Sequence, residues 1–194
     1  MPQQRRAKIT RRTILAAAAE EFDAVGYEAT TLSTVLRRSG ITKGAFYFHF
    51  SSKEAVAEAL VRQYEQARDE MWRRWTGRGL DPLSTAVGLT REAARRLEHD
   101  VTLRAGLLLA CRHICTDVGD GWEEMLDELL RRSAEQGQLR SGVDPGEAAR
   151  VLFSALVGTH TIGMNAAGMP ERVEAVWRVV LGGVAREDWL LASG

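Results

Sequence analysis

The string Thr42-Lys43-Gly44-Ala45-Phe46-Tyr47-Phe48-His49-Phe50 concentrates groups that could do chemistry: a capping hydroxyl, an ammonium, a phenol and an imidazole, beside two residues with almost no side chain. Hydroxyl, imidazole and ammonium groups are short-reach donors to phosphate oxygens, and Lys43 also reaches guanine O6 or N7. Gly44 and Ala45 let backbone approach a large ligand closely. A second cluster, Cys111, His113 and Cys115, reads C-x-H-x-C and raises zinc binding or thiol redox chemistry. On a helix the two cysteines share a face, but His113 lies about 200° around from Cys111, so the three donors do not converge on one metal. Two buried thiols are the expectation, with a redox sensor as the alternative. The other histidines, His49, His99 and His160, have no carboxylate or cysteine partner at a recognisable spacing. There is no nucleophile elbow, Gly-rich phosphate loop or H-E-x-x-H, so the residues point to binding rather than catalysis, with no metal and no cofactor.

The elements that must position the first cluster run from Gly26 to Glu54. Thr30 or Thr31 caps a short helix whose apolar residues Leu32, Val35 and Leu36 fall at i, i+3 and i+4 before Gly40 stops it. Ile41 fills the turn, Thr42 caps a second short helix, and Lys43, Gly44 and Ala45 form its first turn. That is the layout of a helix-turn-helix DNA reader. Phe46 and Phe50, at i and i+4, lock the second helix against its neighbours, whereas Phe48 has no assignment. A preceding helix from about Thr10, with Ile14, Leu15, Ala18, Phe22 and Val25 on its apolar face and Gly26 at its end, packs across the pair.

Helical periodicity continues through the rest of the chain, and nothing alternates with period two for long enough to be a strand. The fold is therefore all-α. A long helix over 52–75, capped by Ser52, is ended by the breaker run Gly77 to Pro82, and further helices are expected at 82–98, 101–115, 121–136, 145–165 and 170–187. Asp144-Pro145 and Pro170 mark two of the starts. The organisation is a DNA-binding domain over 1–51 and a second domain over 52–194, with helix 52–75 connecting the two. Gly158 and Gly163 inside a helix each cost roughly 1 kcal/mol relative to alanine. Their compensation would be close approach of a partner helix or a ligand. Helices 145–165 and 170–187 are the expected homodimer surface.

Net charge is formally zero, yet the first fifty residues hold eight Lys or Arg against four acids, leaving eighteen basic against twenty-two acidic residues in the remainder. A basic end on an acidic body suits contact with a polyanion at one end only. The arm from Arg5 to Arg12 would lie along phosphates or a minor groove, or form a partly disordered tail. No stretch reaches the length of a membrane span, no signal-peptide core is present, and two cysteines give no disulfide framework, so a cytoplasmic protein without membrane contact is expected.

Residues 9–56 resemble the TetR family of bacterial repressors. Within it, GYEATTLSTV, GITKGAFYFHFSSKE, LRAGLLLA at 103–110 and LVGTHTIG at 156–163 are similar to the actinobacterial γ-butyrolactone receptor group. The resemblance implies a homodimeric repressor that binds a pseudo-palindromic operator and is released by a small hydrophobic signalling molecule, with 52–194 as its ligand-binding and dimerisation domain. Lys43, Gly44, Ala45, Tyr47 and His49 match the family's DNA-contact positions, Thr42 caps the same helix, and Thr31 and Lys53 match phosphate contacts. Trp122 matches a tryptophan that lines the signal pocket, the other reading being core packing, and Gln63 and Thr159 are candidates for orienting the ligand. A pseudo-receptor answering to a different molecule, or to none, is the alternative within the family.

Overall fold

The computed structural model describes residues 2–111, 121–162 and 167–193, and every regular element among them is a helix. The chain divides into two compact units, one of residues 1–67 and 100–120, the other of 68–99 and 121–194.

The first unit holds α1 (Pro2–Val25), α2 (Leu32–Ser39), α3 (Lys43–His49), the first part of α4 (Lys53–Thr76) and α6 (Val101–Cys111). Its core is Ile14, Leu15, Ala18 and Phe22 from α1, Val35, Phe46, Phe50, and Val56, Leu60 and Tyr64 from α4, all buried. Two expectations for α1 need correction. Val25 is 55% exposed rather than in the core. The helix also starts at Pro2, not near Thr10, so the basic arm is helical rather than a disordered tail. Nothing between Pro2 and Thr10 breaks a helix, proline suits its first position, and Gln, Arg, Ala and Lys are good helix formers. On α6, a Cβ added to Gly106 would lie 2.5 Å from Tyr64 Cβ and 2.7 Å from the Leu60 carbonyl oxygen. Only glycine admits this contact of α6 with α4.

The second unit comprises the end of α4, α5 (Pro82–His99), α7 (Trp122–Glu135), α8 (Pro145–Ile162), α9 (Met169–Val184) and α10 (Glu187–Ser193). Leu83 and Leu89 of α5, Leu126, Leu129 and Leu130 of α7, Leu152 of α8 and Trp177 of α9 fill its core. The buried Trp177 indole donates to the Thr90 hydroxyl at 2.7 Å, and that hydroxyl donates on to the Ala86 carbonyl at 2.9 Å, so the polar atoms enter the core paired. Asp81 caps α5 through the Ser84 N–H at 2.9 Å, and Asp144 caps α8 through the Glu147 N–H at 2.7 Å. Pro170 stands one residue into α9, behind a left-handed Gly168 with no side-chain cap. After α9 the Arg140 N–H donates to Val184 O and the Arg186 N–H to Gln138 O, which ties the chain back before α10 begins. Helix α10 lies beyond the last expected helix, 170–187. Its seven residues carry no full apolar repeat, and a tertiary bond, from the Trp189 indole to Asp81 at 3.1 Å, anchors it.

Candidate nucleic-acid interface

The reading pair is built by local chemistry. Gly26, at φ 83°, ends α1 and Gly40, at φ 65°, caps α2, both in the left-handed region that favours glycine. Thr31, rather than Thr30, is the cap of α2: its hydroxyl accepts from the Thr34 N–H while the Thr34 hydroxyl returns to the Thr31 N–H, a reciprocal capping box. Thr30 is buried and donates to Gly26 O at 2.8 Å. Thr42 caps α3 by accepting from the Ala45 N–H at 3.3 Å. Both capping hydroxyls are exposed and use their oxygen inward, leaving the hydroxyl proton for an acceptor outside the chain.

Helix α3 has two unlike faces. Phe46 and Phe50 are buried, with Ala45 and His49 half-buried beside them, while Lys43, Gly44, Tyr47 and Phe48 face outward. Tyr47 is 49% exposed and stands edge-on to Phe46, their centroids 5.5 Å apart, so its ring is braced and its hydroxyl is free to reach out. A Cβ on Gly44 would meet nothing within 4 Å. No contact inside the chain calls for glycine there, although glycine costs a helix roughly 1 kcal/mol relative to alanine. The absence of a side chain serves whatever docks from outside.

Several of the basic residues are engaged within the protein. Arg38 is paired with Glu20 at 3.0 Å and Glu21 at 2.5 Å, and both acids raise its pKa further. Arg11 lies over the Phe50 ring, 4.8 Å from its centroid, which joins α1 to the end of α3. Lys53 is the main departure from expectation. Its half-buried ammonium donates to the carbonyls of Tyr27 and Thr30, both at 2.9 Å, and sits 4.1 Å over the Tyr27 ring. Lys53 is therefore a clip on the turn that delivers Thr31 to its capping position, with one of its three N–H donors left for a phosphate. Beside it, the Ser52 hydroxyl, then the helix N-terminal amide, and then the Tyr27 hydroxyl hold the Glu54 carboxyl below the usual carboxylate range. Arg5, Arg6, Lys8, Arg12, Arg37 and Lys43 are exposed cations of the same unit.

The candidate ligand residues fall in different units. Gln63 is half-buried on the part of α4 that belongs to the first. Trp122 and Thr159 belong to the second. Trp122 opens α7 as expected and is 8% exposed, and the Thr159 hydroxyl donates to the Leu156 carbonyl of its own helix at 2.7 Å. A half-open crevice of about 420 Å³ in the second unit is walled by Trp75, Val87, Arg91, Leu181, Trp189 and Leu190; neither Trp122 nor Thr159 lines it. Arg91 in its wall is held bidentate by Glu174, at 2.7 and 2.6 Å. Cys111 is half-buried at the end of α6, while His113, Cys115 and Gly163 lie outside the described residues. Among the described residues no group of His, Cys, Asp and Glu could hold a metal ion, and no helix is long and apolar enough to cross a membrane.

The reading unit coincides with a known pattern: the model of bacterial regulatory proteins of the tetR family matches residues 14–60. The A-factor receptor protein of Streptomyces griseus is 31% identical over 191 residues, spanning 95% of this chain and 67% of that protein. The chain belongs to the TetR family. Solved structures are similar along nearly its whole length. A γ-butyrolactone receptor described as ArpA-like has a TM-score of 0.86 at 32% identity, covering 95% of this chain and 92% of that one. CprB from Streptomyces coelicolor, solved in complex with its biological operator sequence, has a TM-score of 0.86 at 32% identity, covering 97% of both chains. TetR regulators are DNA-binding proteins rather than enzymes. The segment LRAGLLLA, 103–110, contains Gly106, whose place is set by the packing of α6 on α4.

Proposed function

We propose that this TetR regulator is a repressor that binds a pseudo-palindromic operator as a homodimer and is released by a small hydrophobic signalling molecule of the γ-butyrolactone type. The observation that carries the DNA half of this reading is the outward face of α3, where Lys43 and Tyr47 flank a glycine that the fold itself does not need. The hormone half is supported by similarity to the A-factor receptor and to the γ-butyrolactone receptor structures.

A single short reading helix contacts few base pairs, so a second copy is needed, with half-sites about one helical turn, roughly 34 Å, apart or somewhat more. Helices α8 and α9 are the proposed dimer surface. Val151 and Val179 are 63% and 77% exposed on them, and a Cβ on Gly158, Gly182 or Gly183 would meet nothing within 4 Å. Apolar residues beside bare glycine backbone suit close packing against a partner helix.

Trp122 and Thr159 are the proposed effector contacts of the second unit. Helix α4 is continuous through residues of both units and is the proposed route from effector to DNA. A coupling of about 3 kcal/mol would lower operator affinity roughly 150-fold, and operator would lower effector affinity by the same factor. The test is an operator titration by sedimentation and gel shift, with and without a synthetic γ-butyrolactone, on the wild type and on Trp122→Ala. The reading expects a dimer on DNA, release of the wild type, and a variant that binds operator but is not released. A monomer on DNA, or a wild type indifferent to the lactone, would refute the dimer or the hormone part respectively.

A further inference from the structure

Phe48 is 78% exposed on α3, whereas the phenylalanines two positions either side of it, Phe46 and Phe50, are 1% and 5% exposed. The core therefore explains its neighbours and not Phe48. Its ring meets the His49 ring edge-on, with centroids 5.0 Å apart, which steadies it without covering it. Phe48 follows Gly44 by one helical turn, and residues four apart stand over one another on a helix surface. The position a Gly44 Cβ would take has nothing within 4 Å, so open space lies beside the bare backbone, with the phenyl ring one turn along.

A phenyl ring has no donor or acceptor for a phosphate oxygen or a base edge. The apolar group that a major groove presents is the C5 methyl of thymine, and contact with it distinguishes A·T from T·A as well as from G·C. We propose that Phe48 is a specificity-determining residue that packs against a thymine methyl in each operator half-site. The inference rests on the operator-binding reading and adds to it an apolar element of the code, beside the polar contacts of Lys43 and Tyr47. A ring held against deoxyribose instead would be blind to the methyl.

The test begins with duplexes selected by the full-length protein from a random-sequence library. Each thymine of the selected half-site is then replaced by deoxyuridine, which removes only the methyl, in both half-sites together. One position is expected at which the wild type loses about fourfold per half-site, the worth of one buried methyl, and so roughly fifteenfold for the pair. At that position Phe48→Ala should bind thymine and deoxyuridine operators equally, and Phe48→Leu should keep part of the preference. The deoxyuridine series on the wild type involves no mutation, so it decides the matter even where a variant folds poorly. Selected operators that bind without dependence on any thymine methyl, or a dependence that persists in a folded Phe48→Ala, overturn the proposal while leaving the operator reading in place. A library from which no sequence is enriched overturns the operator reading itself.

Discussion

Replacing Lys53 with methionine keeps an unbranched apolar stem and removes the ammonium, which makes it a clean probe of the clip. Two hydrogen bonds to a charged donor are lost, each at 2.9 Å, together with the contact over the Tyr27 ring at 4.1 Å. Hydrogen bonds to charged groups contribute about 1.5–3 kcal/mol each, and a cation over an aromatic face about 0.5–1 kcal/mol where water still reaches it. The simple sum is an upper bound, because the half-buried ammonium keeps some hydration and the freed carbonyls recover some by local opening. A net loss of about 2–3 kcal/mol is expected. With an m-value of roughly 2 kcal/mol per molar urea, the unfolding midpoint should fall by about 1–1.5 M. The turn from Tyr27 to Thr30 sets the cap of α2, so operator affinity should fall more than affinity for random duplex. A residue serving only as a phosphate contact behaves otherwise: stability is unchanged, all sequences weaken alike, and the slope of log K against log salt drops by about one. Urea denaturation followed by far-UV circular dichroism, with binding to operator and random duplexes at several salt concentrations, separates the two. A Lys53→Met protein that unfolds at the wild-type midpoint and weakens uniformly would refute the clip.

Gly106→Ala should destabilise the protein by about 1–3 kcal/mol through overpacking, since its methyl would stand 2.5 Å from Tyr64 Cβ and 2.7 Å from the Leu60 carbonyl; a thermal melt equal to wild type would show that α6 moves freely on α4. Part of the acid sensitivity should come from Asp81 and Glu92. Burial pushes both carboxyls up, but the Ser84 hydroxyl and N–H with the Trp189 indole outweigh it at Asp81, as do the Trp75 indole and Arg74 at Glu92, so both end lowered in the folded state. Their stabilisation is thus present above the unfolded carboxyl pKa, about 4, and is lost as pH falls through the lower folded values. The melting temperature should hold between pH 7 and 5 and drop below about pH 4, and Asp81→Asn with Glu92→Gln should flatten that drop; an unchanged acid slope in the double variant would assign it elsewhere.

Local chemistry made the reading pair legible before any coordinates. A helix cap, a central left-handed glycine and an i, i+4 apolar pair act within a few residues of one another, and Thr42, Gly40 and the Phe46–Phe50 pair take the places their types imply. The all-α class was legible for the same reason, because a 3.6-residue period is written along each segment. What the sequence could not decide depended on partners far away in the chain. Lys53 matches a phosphate contact in the sequence, and only the fold brings the Tyr27 and Thr30 carbonyls to its ammonium. Nothing around Gly106 in the sequence names its partners, Tyr64 and Leu60 of α4, which occupy the space of its missing methyl. Helix α10 has too short a pattern to announce itself and takes its place through Asp81, at the start of α5. Spacing sets Phe48 apart from the Phe46–Phe50 pair, but only the packing of its neighbours shows what becomes of its ring, which stays 78% exposed. Periodicity and capping are short-range properties that residue type alone determines, whereas the burial of a side chain and the engagement of a charge are set by which distant segments the fold brings against it.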